Sequence, residues 1–522
     1  MPSVPKEIEL KLNVTPADFG ALKLHPTFAE LLNNPVRTET LNSIYYDTDR
    51  YDLRDHAVSL RVRRAGKSFV QTIKSAPPSG GTLERAEWEH QLENGEPNLD
   101  AAANTTLAPL LTAQFRATLR PIFETRIHRS YFHLADHAWQ IEIAFDQGEI
   151  VAGNHVLPVC EIELELKYGY RAALFELARM IVEIVPVQLA LASKSERAYD
   201  LIEDKPRRFF NAKDIALLPG TTTAQAFQAI ACDCLRQLIA NVPLMHRRNP
   251  EALHQMRIAL RRLRTAISVF SEIVRDGQID RIKAELKWLN GELSLTRDLD
   301  VLLDEVIKPQ IRQHPSHRGL KGLYCSFARQ RLQSYQRAEK TVRSQRFCKL
   351  LIETFAWIEI GEWVTATNEA ARQHREWPIE LFAADQLSWR RRKIMKKGKK
   401  LDELDSAQRH RLRIQVKKAR YATEFFAGLF QDKKSARRSA RMLTALKRLQ
   451  NSLGGLNDVI ARKSLCTDIL TRQARSLNGT AGRDRAFAAG LITGSQEARC
   501  AELLSDALKA YAQIKDNKPF WK

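Results

Sequence analysis

Residues 7–11 read Glu-Ile-Glu-Leu-Lys, and this two-residue period constrains the N-terminal part of the chain more than any other feature. Alternate side chains of a β-strand share a face, so Glu7, Glu9 and Lys11 project together while Ile8, Leu10 and Leu12 point the other way. The pattern recurs downstream. Leu60-Arg61-Val62-Arg63 gives one face to bases, Gln71-Thr72-Ile73-Lys74 ends on a base, and Glu87-Trp88-Glu89 returns acids. Thr125-Arg126-Ile127-His128 carries base again, Asp146 follows Ile141-Glu142-Ile143-Ala144-Phe145, and Glu161, Glu163 and Glu165 alternate with Ile162 and Leu164. An ordinary solvated sheet mixes Ser, Thr, Gln and Lys on its wet side, whereas each wet face here is acid or strong base. Such faces converge if the strands close into a barrel with its polar side inward. That interior suits a divalent cation on carboxylate oxygens beside a polyanion on ammonium and guanidinium groups.

Over roughly residues 1–203 the chain resembles the CYTH superfamily, the triphosphate tunnel metalloenzymes. The likeness rests on the ExExK opening, the Arg-x-Arg strand, the later Glu-x-Glu strand and Ser193-Lys194-Ser195-Glu196-Arg197. The resemblance implies an eight-stranded antiparallel tunnel with accompanying helices that takes a triphosphate with Mg²⁺ or Mn²⁺. By position, Glu7, Glu9, Glu161, Glu163 and Asp146 would face metal, with Glu87 and Glu89 as supporting acids. Lys11, Arg61, Arg63, Lys74, Arg126 and Lys194 would grip phosphate. Many members carry a second base two residues before the Arg126 position, where this chain has Glu124. Glu165 is read equally as a tunnel residue or a solvated strand end.

The formal charge of the whole chain is +21, with a pI near 9.7. Divided at residue 203, the first part carries about −7 and the remainder about +28. The excess base lies wholly in the second part and points to a polyanion: nucleic acid, an anionic membrane or polyphosphate. Seven cysteines without metal spacing suit a reducing compartment; Cys232 and Cys234 stand too close for a zinc or thioredoxin motif. The most apolar stretch, Phe175 to Leu191, is broken by Glu176, Arg179, Glu183 and Pro186, so no bilayer span is expected and the reading is cytoplasmic.

Residues 171–184 read as an amphipathic helix, and 204–220, with Pro206, Pro219 and Gly220, as a linker. Beyond Thr221 the apolar spacing becomes three and four residues, which predicts an all-α region over 221–505 and a C-terminal tail over 506–522. Prolines at 250, 309, 315 and 378 predict helices of ordinary length. Within this region lies a repeat. His254, Arg257, Arg261, Arg262 and Arg264 recur at identical offsets as His410, Arg413, Lys417, Lys418 and Arg420. On a helix, offsets 0, 3, 7 and 10 fall within an arc of roughly 80°, one basic stripe per copy. Each copy is followed by a second shared segment, Lys287-Trp288-Leu289 to Asp298 and Lys447-Arg448-Leu449 to Asp458. Ser294 and Gly454 put a small residue on its face, where a helix or ligand could approach.

Residues 215–505 are similar to the CHAD domain, the conserved histidine α-helical domain. That likeness implies a duplicated four-helix-bundle domain whose basic groove binds inorganic polyphosphate through these residues and Lys287 and Lys447. Ala, Leu and Ile fill the gaps in the stripes, where readers of nucleic acid place aromatic platforms or base-reading amides; any nucleic-acid binding is expected to be non-specific. The combined expectation is a multidomain α+β protein: a metal-dependent inorganic triphosphatase producing phosphate and pyrophosphate, joined to a polyphosphate-binding module. Glu163, Glu161 and Lys11 are its candidate catalytic groups. A class IV-type adenylyl cyclase, or a chiefly polyphosphate-binding protein of polyphosphate granules, are the competing readings.

Overall fold

The computed structural model describes residues 5–31, 35–75, 83–203, 209–212, 215, 217–245, 248–474 and 480–521. The N-terminal strands are β1 (Lys6–Asn13), β2 (Arg37–Asp47), β3 (Val58–Ala65), β4 (Ser68–Ser75), β5 (Glu84–Leu92), β6 (Arg120–Ala135), β7 (Gln140–Ala152), β8 (His155–Tyr168) and β9 (Gln188–Ala190). They form one antiparallel sheet in the order β5-β4-β3-β2-β6-β7-β8-β1-β9. Pairing of β1 with β5 closes eight strands into a barrel, and the three-residue β9 adds outside the closure, against Lys11–Asn13. Gly66 and Gly153, at φ +61° and +57°, supply the left-handed turn residues of the β3–β4 and β7–β8 hairpins.

The barrel is inverted relative to a soluble one, with charge inside and apolar side chains outside. Leu10, Leu12, Ile141, Ile143, Ile162 and Leu164 are at most 1% exposed because helices clad the outer wall. Helix Pro16–Leu24 contributes Phe19 and Leu22, and helix Ala172–Ile184 contributes Leu174, Phe175, Ala178 and Ile181. The expected amphipathic helix is therefore present. Helix Lys194–Ile202 packs Ala198 and Tyr199 on Leu41, Tyr45, Phe123 and Ile127, filling the barrel there with apolar contact.

The C-terminal region is helical and visibly duplicated. The first histidine helix, Pro250–Val269, packs between helices Thr223–Ala240 and Ile279–Val301. The second, Ser406–Phe426, packs between Ile379–Lys397 and Lys433–Ala474, and the two histidine helices also touch each other. Asn249 caps the first, with Pro250 in its opening turn, and Asp405 with Gln408 forms a capping box on the second.

Two expectations are corrected. Helix Lys433–Ala474 runs 42 residues rather than an ordinary length, in keeping with the absence of any proline between Pro378 and Pro519. The segment 506–522 is no tail where described: helix Cys500–Asp516 buries Ala507, Ala510 and Ile514, and the Trp521 indole donates to Ser388 Oγ at 2.8 Å. The two modules also share a core, since one apolar cluster runs from Leu10 and Leu164 through Phe175 to Phe355 and on to Leu453. Phe175 meets Phe355 of helix Gln345–Ile360 edge-on at 5.7 Å, flanked by Arg179–Glu353 at 2.7 Å and Lys349–Glu183 at 2.7 Å. Part of the 204–220 linker, including Pro206, lies outside the described residues; in the part described, Phe210 bonds Asn241 and Leu217 is buried.

Candidate active site

The inward faces of the strands enclose a cavity of about 270 Å³ lined mostly by charged side chains. Lys11 Nζ lies 3.0 Å from Glu9 and 2.8 Å from Glu163, its register partner on β8. Lys74 pairs with Glu7 and, at 3.1 Å, with Glu87, which also stands 3.8 Å from Arg61. Lys194, at the head of its helix, reaches Asp146 at 2.7 Å and Glu163 at 2.9 Å and pairs with Glu161. Glu89, at an exposed position on the rim, accepts from Thr72. Glu165 lines the cavity, beside Lys167 at 2.7 Å.

One expected residue faces the wrong way. Arg126 is exposed on the outer wall, where it pairs with Glu124 and Glu149. The inward base of β6 is Arg129, whose guanidinium binds Asp146 at 2.7 and 2.8 Å and also pairs with Glu163. Phe132 and Leu134 are buried on the cladded side, so counting back in twos from them puts Arg126 outside and Arg129 inside. Arg85, Glu39, Glu142 and Lys167 also line the cavity and were not singled out in the sequence.

Burial disfavours charge on Glu163, yet Lys11, Lys194 and Arg129 hold its carboxyl well below the usual carboxylate range. Burial likewise opposes charge on Lys11 and Lys194, and the facing carboxylates outweigh it and raise both. Arg63 is the exception: burial, with Arg61 and Arg129 nearby, pushes it down to about 10. It is the lumen's least compensated cation.

Asp146, Glu161 and Glu163 are buried and present carboxylate oxygens within 4.8 Å of one another. Three hard oxygen donors so placed could hold a divalent cation. Glu7 and Glu9 stand instead against Lys74 and Lys11.

The basic stripes of the helical region converge. Lys417 lies among Arg261, Arg264, Arg413 and Lys418, and burial together with these like charges pushes its ammonium down to about 8. Burial with Arg297, Arg261 and Arg257 pushes His254 down to about 4. Among the described residues, no carboxylate stands within ion-pair distance of Arg261, Arg264, Arg413 or Lys417. The copies match in detail: Arg257 donates to the Ser294 carbonyl at 2.8 Å, and Arg413 lies against the equivalent Gly454. His410 sits 3.3 Å from Asn457, the counterpart of Arg297. Lys418 donates to Ser268 across the helix pair. Arg420 stacks on Tyr421, near Glu424, and Lys287 and Lys447 are exposed on the neighbouring helices. Arg262 does not join this surface. It is 3% exposed, bound to Asp233 at 3.0 Å and Gln237 at 2.9 Å, because offset 8 falls off the stripe.

A closed charge-lined tunnel with a buried carboxylate group, joined to a duplicated helical module with a basic seam, makes a two-module architecture. Family models match accordingly: the CYTH domain over residues 5–199 and the CHAD domain over residues 229–466. The chain carries a CYTH domain followed by a CHAD domain. It is similar to an inorganic triphosphatase of Haemophilus influenzae, 30% identical over 197 residues, which are 37% of this chain and 54% of that protein. The match thus spans about half the length of that relative. The crystal structure of the CHAD domain from the plant Ricinus communis is 27% identical, covering 60% of this chain and 98% of that one with a TM-score of 0.50. A structure described as a putative adenylyl cyclase from Hippeastrum with a dominant triphosphatase activity is 18% identical, covering 37% of this chain and 94% of its own, with a TM-score of 0.28. No helix among the described residues is long and apolar enough to cross a membrane.

Proposed function

We propose that the tunnel hydrolyses inorganic triphosphate to phosphate and pyrophosphate, with Mg²⁺ or Mn²⁺, and that the basic seam binds inorganic polyphosphate. The observation that carries this reading is Glu163, bridged to Lys11, Arg129 and Lys194 beside Asp146 and Glu161 inside a closed barrel. Within the tunnel acids and bases neutralise one another. A metal–triphosphate pair would replace those contacts, the carboxylates holding the cation and the bases the phosphates. Asp146, Glu161 and Glu163 would hold the metal, with Glu7 and Glu9 as further acids on the same wall. The bound cation would neutralise charge growing on the transferring phosphoryl group. Lys11, Arg61, Arg63, Lys74, Arg129 and Lys194 grip and orient the phosphate oxygens, and that fixed geometry lowers the barrier to attack by water. Glu163, released from its cations, accepts a hydrogen bond from the attacking water and aims it at phosphorus. We place the activity in the cytoplasm, where the seam would hold the chain to polyphosphate granules; nucleic acid would be held only unspecifically.

A substrate panel tests the reading: triphosphate, ATP, thiamine triphosphate and long-chain polyphosphate, each with Mg²⁺ or Mn²⁺ and with product analysis. Triphosphate should exceed ATP in kcat/KM by about a hundredfold, equivalent to about 2.7 kcal/mol. Cyclic AMP and pyrophosphate from ATP, with triphosphate inert, would make the tunnel a cyclase instead.

A further inference from the structure

Resting on the tunnel reading, we infer that Arg236, a residue of the helical module, is a positioning residue of the tunnel, acting through Glu196 on Lys194 and Arg85.

Lys194 opens the helix Lys194–Ile202, so its backbone is fixed by that helix's cap. Glu196 Oε2 accepts from Ser193 N at 2.8 Å and from Ser193 Oγ at 2.9 Å, while Glu196 N donates to Ser193 Oγ at 3.2 Å. This is a complete capping box, with the lumen lysine immediately after the capping serine. The other oxygen of Glu196 leaves the barrel. Oε1 accepts from Arg236 Nη1 at 3.0 Å, and Arg236 stands on helix Thr223–Ala240 of the helical module. Arg85, a cavity-lining base in register with Glu7, approaches Oε2 at 3.8 Å from the tunnel side. Burial opposes charge on Glu196, yet Arg236 and then Arg85 hold its carboxyl below the usual range.

The side chains of Arg236 and Glu196 are 37% and 43% exposed, so the pair itself adds little to global stability. Its effect is directional. One carboxylate oxygen is held by the helical module, so the other cannot rotate away from Ser193 and Arg85. The module also abuts this corner sterically, since Phe355 shares a small void with Lys11, Arg85 and Ser193. Without Arg236, Glu196 is free to turn towards Arg85 or solvent, the cap loosens, and Lys194 loses its fixed approach to phosphate.

The full-length chain is the test object. Arg236→Gln, Arg236→Lys and Glu196→Gln, with the Arg236→Gln/Glu196→Gln pair, are compared for triphosphate hydrolysis, triphosphate binding by calorimetry and amide hydrogen exchange at Ser193 and Glu196. Arg236→Gln should speed exchange at both amides and raise KM for triphosphate about five- to tenfold, with kcat changed much less and the melting temperature held. Arg236→Lys should recover most of the loss, and the double variant should lose no more than the worse single one. Unchanged exchange overturns the inference, and so does faster exchange with wild-type KM, which would make the pair a helix clamp and nothing more. Additive losses in the double variant overturn it as well. Failure of the tunnel reading shows separately, as a wild-type chain that neither binds nor hydrolyses triphosphate; the link from Arg236 to the cap then stands or falls on exchange alone.

Discussion

In the tunnel Lys11, Lys74, Arg129 and Lys194 each meet a carboxylate, whereas in the seam Arg261, Arg264, Arg413 and Lys417 face one another. Both regions are rich in base, but only the first is neutralised by its own walls. A self-neutralised pocket is rigid and discriminating: a ligand enters only by replacing existing partners with equivalent ones, so it must bring cation and anion together. A like-charged seam has few partners to displace: Arg257 meets Asp298 at 3.3 Å, but among the described residues Arg261, Arg264, Arg413 and Lys417 meet no carboxylate. Its like charges repel one another, a repulsion that a flexible polyanion would relieve.

The widest gap between the regions should open at Glu163, which three cations share. Glu163→Gln should lower kcat for triphosphate by about a thousandfold while polyphosphate binding to the full-length chain stays at the wild-type level. Phosphate release and calorimetry on one preparation read both, and near-normal turnover in a folded variant would break the assignment. Next come the two arginines of β6. Arg129→Ala should cost about a hundredfold in kcat/KM, whereas Arg126→Ala, on the outer wall, should stay within about threefold. Equal losses would mean that the strand's parity is misjudged.

Charge reversal at Arg257, Arg261, Arg413 and Lys417 together should weaken long-chain polyphosphate binding by about fiftyfold or more and leave triphosphate kcat and KM within twofold. Wild-type affinity should itself drop about tenfold between roughly 50 and 200 mM salt, as expected of a seam that works by charge alone. Unchanged affinity in the quadruple variant would make the seam a solvated surface and hand the excess charge to another partner.

The smallest effect is one of pH. Lys417 has a folded pKa of about 8 against the usual 10.5, so the folded chain gives up this proton more readily than the unfolded one. Its charge therefore opposes folding below about pH 8, and that opposition fades as pH rises towards 10.5. A polyanion reverses the preference by favouring the ammonium. Polyphosphate affinity should fall about three- to fivefold as pH climbs from about 7 to 9, and Lys417→Met should flatten that slope. His254, at about 4, is neutral throughout this window and adds nothing to it. A steep affinity change near pH 6 would contradict this placement of the histidine.

Strands with one charged and one apolar face were legible, because Glu7, Glu9, Lys11, Glu161 and Glu163 alternate with residues that can only face the cladding. Strand β6 was not: Glu124, Arg126 and His128 charge its outer face while Arg129 charges the inner one, so polarity alone does not choose a side. In the helical repeat Arg262 is expected in the groove with the other bases, yet at 100° per residue offset 8 falls off the stripe, and its burial against Asp233 follows from that angle. The apolar spacing of Ala507, Ala510 and Ile514 predicts a buried helix face, and reading the segment as a tail overlooked it. Arg236 could not have been found from the sequence. Its role depends on two modules meeting, and nothing in local periodicity reports a contact across 40 positions.

The inverted wall of the barrel carries a consequence for synthesis. Its outer strands turn Leu10, Leu12, Ile143 and Leu164 towards the cladding, and the helix Gln345–Ile360, which packs on the cladding helix Ala172–Ile184 and on β9, lies far downstream. At ribosomal speeds, about 5–20 residues per second, the finished strands wait roughly 10–30 seconds for that helix to emerge. During that interval the apolar side of helix Ala172–Ile184 that meets Phe355, Phe175 among it, lacks its cover. The barrel's first dependency on the helical module is thus temporal, a need for shelter while the chain is still being made.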